Sequence, residues 1–198
     1  LPFEKIRLAQ GDSDQLIAGG GTGGSRSMIA TGAAVVAVSA EVREKARHLA
    51  AEKLEAVVED IEFTAGTLRV AGTDRQISLL ELAQSLEGRA DELNAALAIY
   101  TPPSTYPNGA HVCEVEIDPE TGVTTIQRYL AVDDFGVMVN PNIVAGQVHG
   151  GVAQGIGQAL MEHAVYDGQG QLLSGSFMDY AMPRADQIPF IDFAEHPS

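Results

Sequence analysis

Gly19-Gly20-Gly21-Thr22-Gly23-Gly24-Ser25-Arg26-Ser27 runs without a break into the small, apolar segment Met28 to Ala40, and the reading of this junction decides the rest. Five of the six residues from Gly19 to Gly24 are glycine, so the backbone is free to enter φ > 0 conformations and a ligand can approach the main chain closely. Ser25, Arg26 and Ser27 follow as donors. Successive main-chain N–H groups in such a turn form a concave nest, and a helix N-terminus adds partial positive charge. The junction reads as an anion cradle at the mouth of a helix. A flexible surface loop is the plainer alternative, although a linker does not ordinarily run straight into an apolar helix.

With 198 residues and 45% hydrophobic content, the chain has enough apolar surface for the core of one domain or of two small lobes sharing an interface. Its net charge of −15, from 12 basic and 27 acidic residues, argues against nucleic acid, which is held by Lys and Arg neutralising phosphates. An anionic ligand must then be held by local donors against the overall field. Cys113 is the only cysteine. An internal disulfide and a Cys/His zinc cluster are therefore ruled out, and a cytoplasmic setting is the default. No apolar run approaches the 18 or more residues of a membrane span. Leu1-Pro2-Phe3 starts mid-pattern, and Ile188 to Phe193 reads as the opening of a strand close to Ser198. We expect a fragment of a longer polypeptide, residues 1–198 forming part of one domain with sub-lobes at 1–105 and 106–198.

Residues 1–9 alternate loosely before the turn Gly11-Asp12-Ser13-Asp14, which predicts a short edge strand and a loop. Ala33 to Leu54 follows a 3.6-residue period. Its apolar first half is expected to be buried near the ligand and its charged second half to face solvent. Val57 to Val70 has strand chemistry around Ala65-Gly66-Thr67 and predicts a hairpin. Ser78-Leu79-Leu80-Glu81 is a capping-box pattern for a helix to about Leu86. Residues 88–110, with Pro102, Pro103 and Pro107, read as a connecting excursion. From His111 a strand alternates, turns at Asp118-Pro119-Glu120-Thr121-Gly122 and returns over Val123 to Val132. Asn140-Pro141 opens a helix to about His163, with Asn as cap and Pro at the first position. A second hairpin is predicted at 164–173, and another strand at Phe177 to Met182.

That last helix holds the second constellation, Gly146-Gln147-Val148-His149-Gly150-Gly151-Val152-Ala153-Gln154-Gly155-Ile156-Gly157-Gln158. Glycine inside a helix costs roughly 1 kcal/mol against alanine, so these glycines call for a reason. Gln147, Gly150, Gly151 and Gln154 share one face at i, i+3, i+4 and i+7, a surface of amides and bare backbone suited to a flat ligand rich in donors and acceptors. Close helix-to-helix packing through small residues is the competing reading. Gly19-x-Gly21-x-x-Gly24 meets the dinucleotide fingerprint by count, but only Leu16-Ile17 precede it and Glu41 and Glu44 fall within the helix itself, so the context is wrong. Arg26 does not replace the P-loop lysine. His111, His149 and His163 have no metal-ligand spacing and read as solvated or hydrogen-bonded. Asp133-Asp134 reads either as an acid/base pair or, more simply, as loop charges and helix capping. No serine or cysteine has a nucleophile signature.

As a set, these stretches resemble the molybdenum-binding subunit of the xanthine dehydrogenase family, which includes aldehyde oxidases and aerobic carbon monoxide dehydrogenases. The matching residues are Gly19 to Ser27, Tyr106-Pro107-Asn108-Gly109, Glu114 to Gly122, Val132 to Gly136, Asn140-Pro141, Gly146 to Gly157 and Gly175-Ser176-Phe177-Met178-Asp179-Tyr180-Ala181-Met182-Pro183. The match is looser over 57–100. The resemblance implies a hydroxylase whose molybdenum, held by a pterin dithiolene, delivers water-derived oxygen to a C–H carbon of an aldehyde or N-heterocycle, or oxidises CO. Electrons then leave through iron–sulfur centres and FAD on partner subunits or domains. The form of the glycine loop implies molybdopterin cytosine dinucleotide. By position, Gly23, Gly24, Ser25, Arg26 and Ser27 would hold the cofactor and Gln147 would hydrogen-bond the pterin. The family's catalytic glutamate lies in a Gly-Glu stretch beyond this sequence, so no residue here takes that role, and no residue here is a metal ligand. The resemblance further implies an oligomer in the full-length form, a small-molecule substrate and no membrane partner. The fold expected is α+β, two longer helices packed against short antiparallel hairpins. The competing function is a non-catalytic acidic assembly or binding module with a degenerate cofactor loop.

Overall fold

A computed structural model of the chain describes residues 1–99 and 105–197, and they fall into two units divided near residue 103. In the first unit, helix α1 (Ser27–Lys53) is followed by strands β1 (Ile61–Thr64), β2 (Thr67–Val70) and β3 (Gln76–Ser78) and the short helix α2 (Leu79–Ser85). The three strands form an antiparallel sheet in chain order. Ala65 and Gly66 turn β1 into β2 with φ of 50° and 85°, the left-handed pair that matches the twist of a two-residue hairpin. α2 starts where the sequence pattern places it. The Ser78 hydroxyl accepts from Glu81 N at 3.2 Å, and Glu81 Oε2 accepts from Ser78 N at 2.9 Å.

Burial along α1 runs opposite to expectation. Ala46, Leu49, Ala50 and Ala51 of its C-terminal half are buried with Ile61, Leu68, Val70, Leu82 and Leu86, whereas Met28 and Val36 of the N-terminal half are 57% and 72% exposed. The charged residues that suggested a solvated half instead frame the core. Arg47 donates to the carbonyls of Ile61 and Val58 at 3.0 Å, and the Arg43 guanidinium lies 5.4 Å over the Phe63 ring. Their stems cover apolar surface while the guanidinium groups find carbonyl, carboxylate and ring partners. The edge strand expected before residue 9 is absent. Phe3–Lys5 forms a single 3-10 turn instead, because residues this exposed have no described strand to pair with. The connecting prolines Pro102 and Pro103 lie outside the described residues.

In the second unit, β4 (Asn108–Ile117) and β5 (Thr124–Asp134) form an antiparallel ribbon. Asp118 Oδ1 accepts from Glu120 N and Thr121 N at 2.8 and 3.3 Å, and these backbone donors hold its carboxyl below the usual range. Helix α3 (Pro141–Leu160) then crosses over to β6 (Ile191–Glu195), which pairs parallel to β5. A parallel return needs such a crossover, so the antiparallel hairpins expected are joined by one parallel pairing. The α+β class holds. Val148, Val152 and Ile156 of α3 pack over Ala131 and Ile191. The predicted hairpin at 164–173 reduces to one bridge, Tyr166 to Leu172. Phe177 to Met182 is no strand, because Ser176 takes over the backbone: its Oγ donates to Asp179 Oδ2 at 2.7 Å and its carbonyl accepts from Asp179 N and Tyr180 N. Among the described residues no helix is long and apolar enough to cross a membrane.

Candidate functional site

Gly21 and Gly24 take φ of 66° and 59°, and Ser25 follows at 53°, so the chain reverses through left-handed conformations immediately before α1. A non-glycine residue held there costs of order 1–3 kcal/mol and persists where its surroundings or a function require it. Thr22 Oγ1 and Ser27 Oγ lie 2.8 Å apart and close the loop across the helix start. Arg26 occupies the N-cap position without a side-chain cap bond, and the first turn of α1 carries no acidic residue. A helix start leaves several N–H groups pointing outward and a partial positive charge, which nothing acidic in that turn offsets. Arg26 is also the only charged residue between Asp14 and Glu41. The stretch is therefore locally cationic within a chain of −15 net charge. Gly23, Gly24, Ser25, Arg26 and Ser27 are all exposed and contiguous.

Gln147 belongs to the other unit. Asn140 Oδ1 accepts from Ile143 N at 3.2 Å and Pro141 stands at the first position of α3, so the cap predicted from sequence sets the start of the helix. With Val148, Val152 and Ile156 turned into the core, Gln147, Gly150, Gly151 and Gln154 are exposed together. A Cβ built at Gly146, Gly150, Gly151 or Gly155 meets nothing within 4 Å. Gly157 differs. A Cβ there would overlap Glu162 Oε1 and come within 2.6 Å of Pro183 Cγ, so only glycine lets the 180–183 segment settle on the end of α3. Tyr180 Oη donates to Glu162 Oε2 at 2.6 Å. That bond, more than burial, raises the phenol's pKa.

One cluster was not read from sequence. His111 Nε2 lies 3.1 and 3.3 Å from Asp133 Oδ1 and Oδ2, and its Nδ1 lies 3.1 Å from Tyr129 Oη. Gly109, paired with Asp133 in the ribbon, was the available signal, since glycine within a strand marks close approach of another group. Among the described residues no group of three or more His, Cys, Asp or Glu side chains could hold a metal ion. A cleft lined by Leu49, Glu52 and Arg89 lies at the opposite end of α1 from the loop. At about 1.5 Å per residue that is some ~33 Å from Ser27, so it has no part in the cradle.

The family model described as molybdopterin cofactor-binding domain matches residues 1–189. The chain is 40% identical over 196 residues to the 6-hydroxypseudooxynicotine dehydrogenase complex subunit gamma of Paenarthrobacter nicotinovorans, covering 96% of this chain and 25% of that protein. It is 36% identical to the carbon monoxide dehydrogenase large chain of Hydrogenophaga pseudoflava, with 96% and 24% covered. Among solved structures, the Cu,Mo-CO dehydrogenase in its carbon monoxide reduced state superposes with a TM-score of 0.77 at 35% identity, over 93% of this chain and 24% of that one. Quinoline 2-oxidoreductase from Pseudomonas putida 86 superposes at 0.71 and 34% identity, over 89% and 24%. The chain thus spans about a quarter of the length of the relatives it matches.

Proposed function

The chain belongs to the molybdopterin cofactor-binding domain family, and on that premise we propose that it grips a pterin dinucleotide, in the cytosine form, at two places within a molybdenum hydroxylase. The residues fit such a group. In the glycine loop, Gly23 and Gly24 bring bare backbone to the ligand, and Ser25, Arg26 and Ser27 add hydroxyl and guanidinium donors beside a helix start with no acid in its first turn. On α3, Gln147 offers an amide that both donates and accepts, matched to the edge of a pterin, and Gly150 and Gly151 let a flat ring system lie against the helix backbone. The bound cofactor would supply the redox chemistry for hydroxylating a C–H carbon with water-derived oxygen, or for oxidising CO. The protein's part at these positions is to hold the dinucleotide's phosphates and fix the orientation of its pterin.

The carrying observation is the open face of α3, where four glycines have empty space in place of a Cβ while the neighbouring valines and isoleucine form the core. The relatives' names, which speak of carbon monoxide, quinoline and a nicotine derivative, support a small-molecule substrate. Iron–sulfur and flavin partners would carry the electrons away, in a cytoplasmic multi-subunit enzyme. The 198-residue chain alone is proposed to be inactive and to hold cofactor weakly or not at all. The test is the protein produced with its assembling partners in a molybdenum-supplied host, with molybdenum and acid-released cytidine nucleotide counted per chain. We expect close to one of each, falling at least tenfold in Arg26→Ala and Gln147→Ala. Wild-type protein free of both, or variants that retain both, refutes the reading.

A further inference from the structure

We propose that Gly109, His111 and Asp133 form a clasp at the open end of the β4–β5 ribbon that positions the Gln147 face of α3, an inference that rests on the cofactor-binding reading of that face. Asp133 is 8% exposed, and a carboxylate removed from water needs donors. His111 supplies one from the neighbouring strand, with Nε2 within 3.3 Å of both carboxylate oxygens, and is itself braced by Tyr129 Oη. The ring of Tyr129 stands edge-on to the imidazole at 5.7 Å. Gly109 makes the arrangement possible. A Cβ there would overlap Asp133 Oδ1 and approach the Val132 carbonyl oxygen to 2.7 Å, so the carboxylate lies across bare backbone opposite its own register partner. Asp133 also binds the third strand, its main-chain oxygen accepting from His196 N at 3.0 Å.

The clasp matters at the end of the ribbon farthest from its turn. The Asp118 to Gly122 turn sets the register at one end, whereas the Gly109–Asp133 pairing lies at the other, on a strand whose every residue is exposed. Without the clasp the last pairs of the ladder are free to open, and the segment that leads from Asp133 into α3 loses its anchor on β4. The path from clasp to helix is short: Asp134 Oδ1 accepts from Gly136 N at 2.8 Å, and Asn140, seven positions after Asp133, caps α3. His111 and Asp133 are thus positioning residues for Gln147, which they need not touch.

The experiment compares His111→Ala, His111→Gln and Gly109→Ala with Gln147→Ala, reading amide exchange by mass spectrometry on the whole chain and molybdenum content on the partner-assembled protein. We expect exchange over residues 135–147 to accelerate at least tenfold in His111→Ala and Gly109→Ala, with Leu49 to Ala51 unchanged as an internal control. Molybdenum content should fall in parallel. His111→Gln, which keeps an N–H donor for the carboxylate, should recover most of both. Unchanged exchange over 135–147 in His111→Ala and Gly109→Ala, or no recovery in His111→Gln, overturns the clasp. Gln147→Ala should lower molybdenum. If it leaves molybdenum untouched, the cofactor reading of the face fails while the exchange data still decide the clasp.

Discussion

Replacing Gly151 with alanine should stabilise α3 and impair cofactor binding at the same time. The position is interior to the Pro141–Leu160 helix, and nothing beyond the helix's own neighbouring backbone lies within 4 Å of where the new methyl would stand. The substitution therefore gains the helix-propensity difference of about 1 kcal/mol without a steric penalty. A gain of that size slows local opening about fivefold. Gly157→Ala gains the same propensity term but drives a methyl against Glu162 Oε1 and the Pro183 ring, whose Cγ and Cδ would lie at 2.6 and 2.9 Å. Overpacking of this kind costs about 1–3 kcal/mol, so the net change is a loss of up to about 2 kcal/mol. Amide exchange across α3 in the whole chain separates the two variants by sign, slower in Gly151→Ala and faster in Gly157→Ala. Molybdenum content of the assembled protein should fall in Gly151→Ala despite its added stability. Faster exchange in Gly151→Ala would show that the glycine face already packs within the chain, and would remove the argument that it is held open for a ligand.

The Tyr180–Glu162 contact gives an alkaline signature. Its hydrogen bond raises the phenol's folded pKa above the unfolded value of about 10, so the stabilisation is complete below pH ~10 and lost as pH rises through the folded value. The difference between the wild-type and Tyr180→Phe absorbance titrations should show the Tyr180 phenol ionising above pH ~10. The α2 cap behaves oppositely. The Ser78 hydroxyl, then the Ser78 backbone N–H, hold Glu81 below its usual pKa, so that contribution is present above pH ~4.3 and lost as pH falls through the folded value. Ser78→Ala should cost about 1 kcal/mol at pH 7, read from urea unfolding of the first unit, with a smaller acid-induced loss than wild type. Leu68, fully buried between β1, β3 and α1, should cost about 2–5 kcal/mol when cut to alanine, with α3 exchange unaffected.

What could be read from sequence divides along the range of the interactions involved. The Ser78–Glu81 cap, the Asn140–Pro141 start, the Asp118–Gly122 turn and the Ala65–Gly66 hairpin are each written within a few residues, and each stands where the pattern put it. The burial of α1 is not legible in the sequence because apolar content reveals only what could be buried. Which half meets a core depends on where β1, β2 and α2 fold back, and that is onto Ala46 to Ala51. Phe177 to Met182 has strand composition, but Ser176 offers the backbone a local alternative that wins where no neighbouring strand competes. The parallel partnership of β5 and β6 and the His111–Asp133 contact, across 22 positions, are invisible without the register. The proposed site residues are read only from types and spacing, the loop through its glycines and the α3 face through its 3.6-residue period.

The glycines of α3 bear on the two readings that spacing leaves open. Packing within the second unit puts a neighbour where a Cβ is missing at Gly157, which meets Glu162 and Pro183. Gly146, Gly150, Gly151 and Gly155 have none. At about 1 kcal/mol each against alanine they weaken the helix by about 4 kcal/mol, a large part of the roughly 5–15 kcal/mol that separates folded from unfolded domains. In this chain no group beyond the helix's own neighbouring backbone lies within 4 Å of those positions to return that cost. Departures from local rules of this size are expected at functional surfaces, and here the departure falls on the face that carries Gln147 and Gln154. A flat ligand laid against that backbone, as proposed above, would account for both the glycines and the amides, and packing within the second unit accounts for Gly157.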